Sequence, residues 1–435
     1  MSEELELRRG LKRALRLDDA GLAQALGELR GEEIRSGSDA ELVVKVLERM
    51  PLKGAPEPKG RSCLGIVVGW LLSTESRAAH RVTERAAVPH LMRLFDVYIG
   101  GAGEDIERLR DLQFLVRLLA LCEAKGGERC FVQVARVHHK RAHELWPTVF
   151  EPLKLEEPHP WGVAVIKGLE NPLPDGTLGL MLLELANQLC ALGVLDEHPF
   201  AFDAAVERLA RLLGDTREIA LRHAKAACCA LPFLPAAYRK QLIEIADEHP
   251  SPAVELEAAW ALARSGKRSG MARLRDIGAD PRYALAVKRY LEEIDAPAEY
   301  MPEKLQNKTF VAKATMCEWL AHPKEFGSPP TRIRKLDSRR LYWPPLDEIR
   351  RVYLFIYEYP PPGDRTEPRI GAGMVGGAMT FSLFRDRVTD SLTPKMLYAQ
   401  HCLFELNAMD DPRLDKNNMK GGLQILGDYN EGFDD

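Results

Sequence analysis

Three glycines near the C-terminus have the spacing of a nucleotide-binding loop. Gly371, Gly373 and Gly376 fit G-x-G-x-x-G, in which backbone N–H groups cradle a phosphate between a strand and a helix N-terminus. The strand before them is predicted to end near Tyr359, the segment after them (AMTFSLF) is predicted to be a strand, and the Lys and Ser/Thr of a P-loop are missing. We therefore predict no nucleotide cofactor. The glycines are expected to allow a bulge or a close approach at a strand edge, or alternatively to line a groove that receives a partner's backbone.

Two histidines offer the next chemistry. His139 and His143 are four residues apart, so on a helix they would share a face and could hold a metal. Glu144 follows directly, but the order is not H-E-x-x-H, and no third ligand stands at a useful spacing. Deoxyhypusine hydroxylase, a HEAT-type enzyme, holds iron with several His-Glu pairs, whereas this chain has one. We predict no metal site and no cofactor.

Cysteine and serine chemistry has little support. The eight cysteines include no C-x-x-C pair, and most lie in apolar helical runs such as LLALCEA and KAACCAL. They are predicted to be buried, reduced thiols. Neither a nucleophilic serine motif nor a distinctive pair of carboxylates stands out, so we predict no catalytic residue.

Aromatic residues give a better candidate for binding. Tyr342 and Trp343 precede two prolines in LYWPP, so the chain there is extended, and Trp319 and His322 lie in CEWLAHP. Aromatic side chains are enriched at binding hot spots. We predict these four residues and the three glycines to be partner-binding residues, with a role in the core of their own domain as the alternative.

The charge balance disfavours a dedicated nucleic-acid-binding protein. Basic clusters occur at 8–16 and 332–340, and HEAT-like alkylpurine glycosylases bind DNA along a basic surface. Here 64 acidic residues outweigh 60 basic ones, for a net charge of −4. The chain has no apolar run of about 18 residues and no apolar core of a secretory signal near its start, so we expect a cytoplasmic protein without a membrane span.

The elements that carry these residues are mostly helices. Residues 1 to about 295 repeat apolar positions at helical spacing, as in GLAQALGELRG, and Asp39 and Pro51 are predicted to start and end one helix. The strongest periodicity lies at 252–294, where Pro281 follows Pro252 by one repeat of two helices and the apolar positions realign. Small alanines at the contacts suit helices stacked at short distance. A repeat of about 30 residues built from helix pairs is typical of a solenoid.

This repeat resembles the short HEAT-like repeats that also occur in relatives of the phycobilin lyases. The resemblance is specific over roughly 215–295 and implies a mainly α fold, an α-solenoid of HEAT-like helix pairs over residues 1–295. An irregular all-α domain is the alternative.

A different composition begins after Ile294. Residues 296–309 are predicted to be a linker, 310–412 a small α+β domain, and 413–435 a flexible acidic tail. Within the domain, RRVYLFIYEY predicts a strand, and helices are predicted at 310–321 and 394–409. The order of these segments resembles a family of bacterial HEAT-repeat proteins that has no assigned activity.

Together these features favour a protein–protein interaction scaffold or adaptor, because a solenoid exposes a long surface suited to extended partners. The partner is expected to be a protein. A nucleic-acid-associated protein of the glycosylase kind, and an enzyme with a site in the interdomain cleft, are the alternatives.

Overall fold

A computed structural model describes residues 6–55, 57–58, 62–102, 105–137, 143–154, 157–217, 220–322, 324–361, 366–407 and 416–433. The chain divides into two compact units, residues 1–254 and residues 255–435. The fold is mainly α with a small α+β region at the C-terminal end, as predicted. No helix of the described residues is long and apolar enough to cross a membrane.

The first unit is built from helices. They are α1 (Glu6–Ala14), α2 (Asp19–Glu28), α3 (Gly37–Arg49), α4 (Cys63–Ser73), α5 (Arg77–Val82), α6 (Val88–Tyr98), α7 (Ile106–Leu121), α8 (Gly127–Val137), α9 (Trp146–Phe150), α10 (Gly162–Leu169), α11 (Gly176–Ala191), α12 (Asp203–Leu213), α13 (Leu221–Ala230) and α14 (Ala236–Asp247). Helices α4, α7 and α11 bury residues on most of their circumference, as helices between two neighbours do. These features are consistent with a helical-repeat protein.

Helix α3 shows how polar residues set a helix start. The prediction of Asp39 as N-cap is wrong, because Ser36 is the cap and its Oγ accepts the N–H of Asp39. Asp39 instead sits in the first turn, where its Oδ2 accepts the Ser36 hydroxyl at 2.7 Å and its Oδ1 accepts Arg8 Nε at 2.8 Å. Ser36 and Asp39 are therefore joined by two hydrogen bonds across the first turn, an arrangement related to a capping box.

Ion pairs link residues one helix pair apart in the first unit. Arg110 contacts Glu144 and Arg117 contacts Glu151, each across 34 residues of sequence. Most of these side chains are substantially exposed, so each pair adds little stability. Burial of the leucines and alanines between the helices is the dominant stabilising effect.

The second unit begins with four more helices, α15 (Pro252–Arg264), α16 (Arg268–Ile277), α17 (Ala284–Glu293) and α18 (Lys308–Ala321). Arg264 pairs with Glu293 and Arg289 pairs with Glu318, and both pairs span 29 residues. The 29-residue step read from Pro252 and Pro281 therefore has a physical counterpart, and it continues into α18. Two short 3-10 turns, Ala298–Tyr300 and Glu303–Gln306, lie in the predicted linker.

The sheet follows α18 and is antiparallel throughout. Its strands are β1 (Arg332–Trp343), β2 (Glu348–Tyr359), β3 (Arg369–Val375) and β4 (Phe381–Phe384), in that spatial order. Strand β2 was predicted as a strand, whereas the segment of β1 was noted for its basic cluster and for an extended chain at Tyr342 and Trp343 and was not predicted as a strand. Alternate residues of β2 face opposite layers: Tyr353, Phe355, Tyr357 and Tyr359 pack with α18, and Val352, Leu354 and Ile356 pack in a second core cluster.

That second layer contains α19 (Pro394–Asn407) and α20 (Lys416–Tyr429). Residues 413–435 were predicted to be a flexible tail; within that range the structure describes residues 416–433 and has helix α20 there. Leu426 and Phe433 are buried in the core cluster beneath the sheet. A Cβ on Gly422 would lie 2.2 Å from Ala399 O, so this glycine lets α20 approach the backbone of α19. The Gly-rich composition therefore serves close helix packing at this position.

The unit boundary at 254/255 lies within α15, whereas the sequence prediction ends the solenoid at residue 295. Helix α18 accounts for this difference, because it contacts α17 and also packs on β1, β2 and β3. Residues 1–295 and 310–412 as separate folding domains stay a prediction.

Candidate functional site

The three glycines lie in and after a strand. Gly371 and Gly373 belong to β3, and Gly376, with φ at +106°, follows it. A Cβ on Gly371 would lie 2.2 Å from Cζ of Tyr357, and one on Gly373 would lie 2.6 Å from Cε of Met316. The chain then continues into β4 instead of a helix, so the strand–turn–helix context of a dinucleotide loop is not formed. Gly371 and Gly373 thus admit side chains of the unit's own core, and Gly376 admits the backbone of Arg351.

Trp343 also belongs to the core. Its side chain is fully buried, and its indole N–H donates to Oε2 of Glu405 at 2.6 Å. The same oxygen accepts the backbone N–H of Ala378 at 2.9 Å. Although the sequence placed Trp343 beside Tyr342 as a partner-binding residue, the alternation of the strand turns it toward the core, so a partner at the surface cannot contact it.

Trp319 and His322 lie at the C-terminal end of α18. Trp319 is half-buried against the aromatic cluster between α18 and the sheet, whereas His322 is exposed. The Nδ1 atom of His322 accepts the N–H of Lys324 at 3.2 Å. His322 precedes a proline, and three other histidines that precede a proline accept the backbone N–H of the residue two positions later in the same way. They are His159, His198 and His249. His322 therefore has a role in a recurring turn of this fold.

Tyr342 has a different environment from Trp343. It is half-buried, its ring stacks on Tyr429 at 4.8 Å between centroids, and its hydroxyl donates to the Asp347 carboxylate. Its backbone N–H and C=O both bond the side-chain amide of Asn430, at 2.8 and 3.1 Å. The end of α20 thus covers the outer edge of β1 at this residue and holds the two tyrosine rings together.

Large apolar side chains remain exposed around this tyrosine pair. Ile349 is directly opposite Tyr342 on β2 and is 61% exposed, Tyr429 is 58% exposed, and Leu346 in the connecting turn is 38% exposed. We call Tyr342, Leu346, Ile349 and Tyr429 the hairpin patch. The sequence indicated only Tyr342, because Ile349 and Tyr429 join it through strand register and through the packing of α20.

Two arginines border the hairpin patch. Arg340 and Arg351 are directly opposite each other on β1 and β2, and each is two residues from the pair formed by Tyr342 and Ile349. Alternation along a strand therefore puts all four side chains on one face of the hairpin. Both arginines are exposed, and neither forms an ion pair with a carboxylate of the described residues. Like charges directly opposite each other are destabilising, so an acidic partner would relieve this arrangement.

The second unit also contains a polar cleft where α16 and α17 meet the start of the sheet. Its volume is about 510 Å³, and Asp276, Asp280, Arg282, Lys313 and Thr331 are in its wall. Asp280 and Arg282 bind each other, with Nε of Arg282 2.9 Å from Oδ2 of Asp280. This pairing occupies the Asp280 carboxylate, which is therefore not free to act as a general base.

Burial shifts the pKa values of several other side chains away from the range in which they would be reactive. Burial raises the pKa of the Cys63, Cys317 and Cys402 thiols to about 12, and burial lowers the pKa of His198 to about 4. Among the residues that the structure describes, no group of three or more His, Cys, Asp or Glu could hold a metal ion. His139, half of the predicted pair, lies outside the described residues, and His143 is 3.8 Å from Glu144.

No protein-family model matches the chain, and it has no significant match among curated proteins or solved structures. Its function is therefore inferred from the geometry of its own residues.

Proposed function

We propose that the protein is an interaction scaffold or adaptor of the HEAT-repeat kind and that its hairpin patch binds a partner protein. The bound segment carries apolar side chains flanked by Asp or Glu. The observation that supports this most is the grouping of three exposed apolar side chains and the half-buried Tyr342 beside Arg340 and Arg351, which have no carboxylate partner among the described residues. Apolar contact supplies affinity and the arginines supply charge complementarity.

The patch is also preorganised. Tyr342 and Tyr429 are stacked, and the amide of Asn430 fixes the backbone of Tyr342 from both sides. Rigid aromatic side chains lose little conformational entropy when a partner binds, so such a surface favours affinity.

The eight cysteines are free thiols, which fits our further proposal of a cytoplasmic location.

The test compares partners recovered with variants of the full chain. Ile349→Ser and Arg351→Glu change exposed side chains of the patch, and Val97→Ser, at a site 52% exposed in the first unit, is the matched control. Quantitative mass spectrometry after pull-down should show one partner lost with both patch variants and kept with Val97→Ser. A photo-crosslinking residue at position 349 should then attach to an acidic, apolar segment of that partner.

Two outcomes would oppose this function. Identical partners for the wild type and both patch variants would remove the patch as a binding surface. Loss of bound DNA or RNA, instead of protein, with Arg351→Glu would favour the nucleic-acid-associated alternative, since β1 also exposes Arg332, Arg334 and Lys335.

A further inference from the structure

The first unit contains a small cavity with a cationic wall. It lies between α11, α12 and α13, has a volume of about 230 Å³, and is lined in part by Arg208, Arg211 and His223. Arg208 and Arg211 are three residues apart on α12, so both side chains leave the same face of that helix. The first turn of α11 borders the cavity at Gly176.

Arg208 is held in place by several contacts. Its Nη1 donates to the carbonyl oxygen of Pro174 at 2.5 Å, its Cζ lies 5.9 Å from the ring centroid of Phe200, and its side chain is 14% exposed. A Cβ on Gly179 would lie 2.1 Å from Nη2 of Arg208. A glycine inside helix α11, which is unfavourable for the helix itself, thus admits the guanidinium. Since several residues fix this side chain, its part of the cavity wall is preorganised, whereas Arg211 is exposed.

The positive charge of this wall is only partly neutralised. The nearest carboxylate is Asp175, whose Oδ1 is 3.5 Å from Nη1 of Arg208 and whose side chain is 80% exposed. Arg211 has no carboxylate within ion-pair distance among the described residues. Burial and the nearby Arg211 lower the pKa of Arg208 against the opposing effect of Asp175. An arginine with so little exposure to solvent gains stability from a further anion.

We propose that this cavity binds a tetrahedral phosphate group, with Arg208 and Arg211 donating to its oxygens. Guanidinium groups suit this ligand because their planar forks donate two parallel hydrogen bonds to phosphate oxygens. The volume admits one small anionic group and little more. The ligand is inorganic phosphate or the phosphate ester of a larger molecule, since both present unesterified phosphate oxygens. This site is independent of the hairpin patch, which belongs to the second unit.

The charge of Asp175 predicts the direction in which a substitution there changes the phosphate affinity. Its carboxylate competes with the ligand for Arg208 and repels it, so Asp175→Asn should tighten phosphate binding. Arg211→Gln should weaken binding about tenfold, because it removes a charge-assisted hydrogen bond. Arg129→Gln removes an exposed arginine that pairs with Asp96 outside this cavity and is the charge-matched control.

The experiment is isothermal titration of the full chain with inorganic phosphate, with chloride adjusted to keep ionic strength constant. The expected result is saturable binding that is weaker in Arg211→Gln, tighter in Asp175→Asn and unchanged in Arg129→Gln. The same titrations with a phosphoserine peptide identify the source: tighter binding of the peptide indicates a phosphoprotein, and equal or weaker binding indicates the free ion. No saturable binding of either probe, or equal binding by all four proteins, would overturn the proposal.

Discussion

Glu405 and Gly377 should be energetically coupled. The Glu405 carboxylate accepts the indole N–H of Trp343 and the backbone N–H of Ala378, and a Cβ on Gly377 would lie 2.0 Å from its other oxygen. The φ of Gly377 is outside the left-handed region, so an alanine there meets only this steric conflict. Alanine should therefore displace the carboxylate and weaken both hydrogen bonds.

The magnitudes follow from those two bonds. A hydrogen bond to a charged group contributes about 1.5–3 kcal/mol, so Glu405→Ala, in a half-buried position, should lower the free energy of unfolding by about 3 kcal/mol. Gly377→Ala should cost about 2 kcal/mol in the wild type, by loss of part of the same bonds. In the Glu405→Ala background it should cost about zero, because the displaced group is gone.

The wild type, the two single variants and the double variant form a double-mutant cycle. Native-state hydrogen exchange of the β2 amides measures their stability locally and does not depend on how the first unit unfolds. Gly421→Ala is the matched control, since no heavy atom lies within 4 Å of its would-be Cβ and it sits in helix α20. It should be neutral or slightly stabilising. Additivity of Gly377→Ala and Glu405→Ala within about 0.5 kcal/mol would refute the proposed contact.

Three further predictions concern other parts of the chain. Trp260 is 6% exposed and packs on Tyr290 at 5.1 Å, so Trp260→Ala should cost about 3–5 kcal/mol by chemical denaturation, whereas Ile349→Ala should change stability by less than about 0.5 kcal/mol. Burial lowers the pKa of His198 to about 4, and its Nδ1 accepts a backbone N–H. As pH falls, the unfolded chain therefore binds a proton at this residue before the folded chain does. Stability should fall as pH drops from about 6.5 toward 4, and His198→Gln should reduce that slope in thermal melts; an unchanged slope would contradict the buried neutral ring. Millimolar ATP, NAD or FAD should not shift the melting temperature, and a shift of several degrees that Gly373→Ala abolishes would show that a nucleotide site had been missed.

Local patterns in the sequence predicted much of the secondary structure. The strand at RRVYLFIYEY corresponds to β2, and the predicted helices at 310–321 and 394–409 correspond to α18 and α19 within a few residues. These segments have strong apolar or aromatic periodicity, or a proline at the helix start. Such signals depend on residues close in sequence, so they need no tertiary context.

The missed elements depend on tertiary context. Strand β1 is an edge strand, where charged side chains remain solvated, so its Arg-rich and Lys-rich sequence lacks the apolar alternation that predicts a strand. It forms a strand because it pairs with β2. Helix α20 has few large apolar residues, and its stability comes from Leu426, Phe433 and the close approach at Gly422. Similarly, the hairpin patch requires the register that puts Ile349 opposite Tyr342.

Helix α18 connects the repeat pattern to the candidate binding surface within the second unit. Its Glu318 pairs with Arg289, and Glu293 pairs with Arg264, so the same 29-residue spacing that joins α15 to α17 also joins α17 to α18. Its opposite side packs Met316 and Leu320 against the aromatic face of β2. The same strand continues from that face to Arg351 and Ile349 at the hairpin end. The proposed binding surface lies on the continuation of a strand that packs on α18, so it has a defined orientation, which the adaptor function that we propose requires of its docking site.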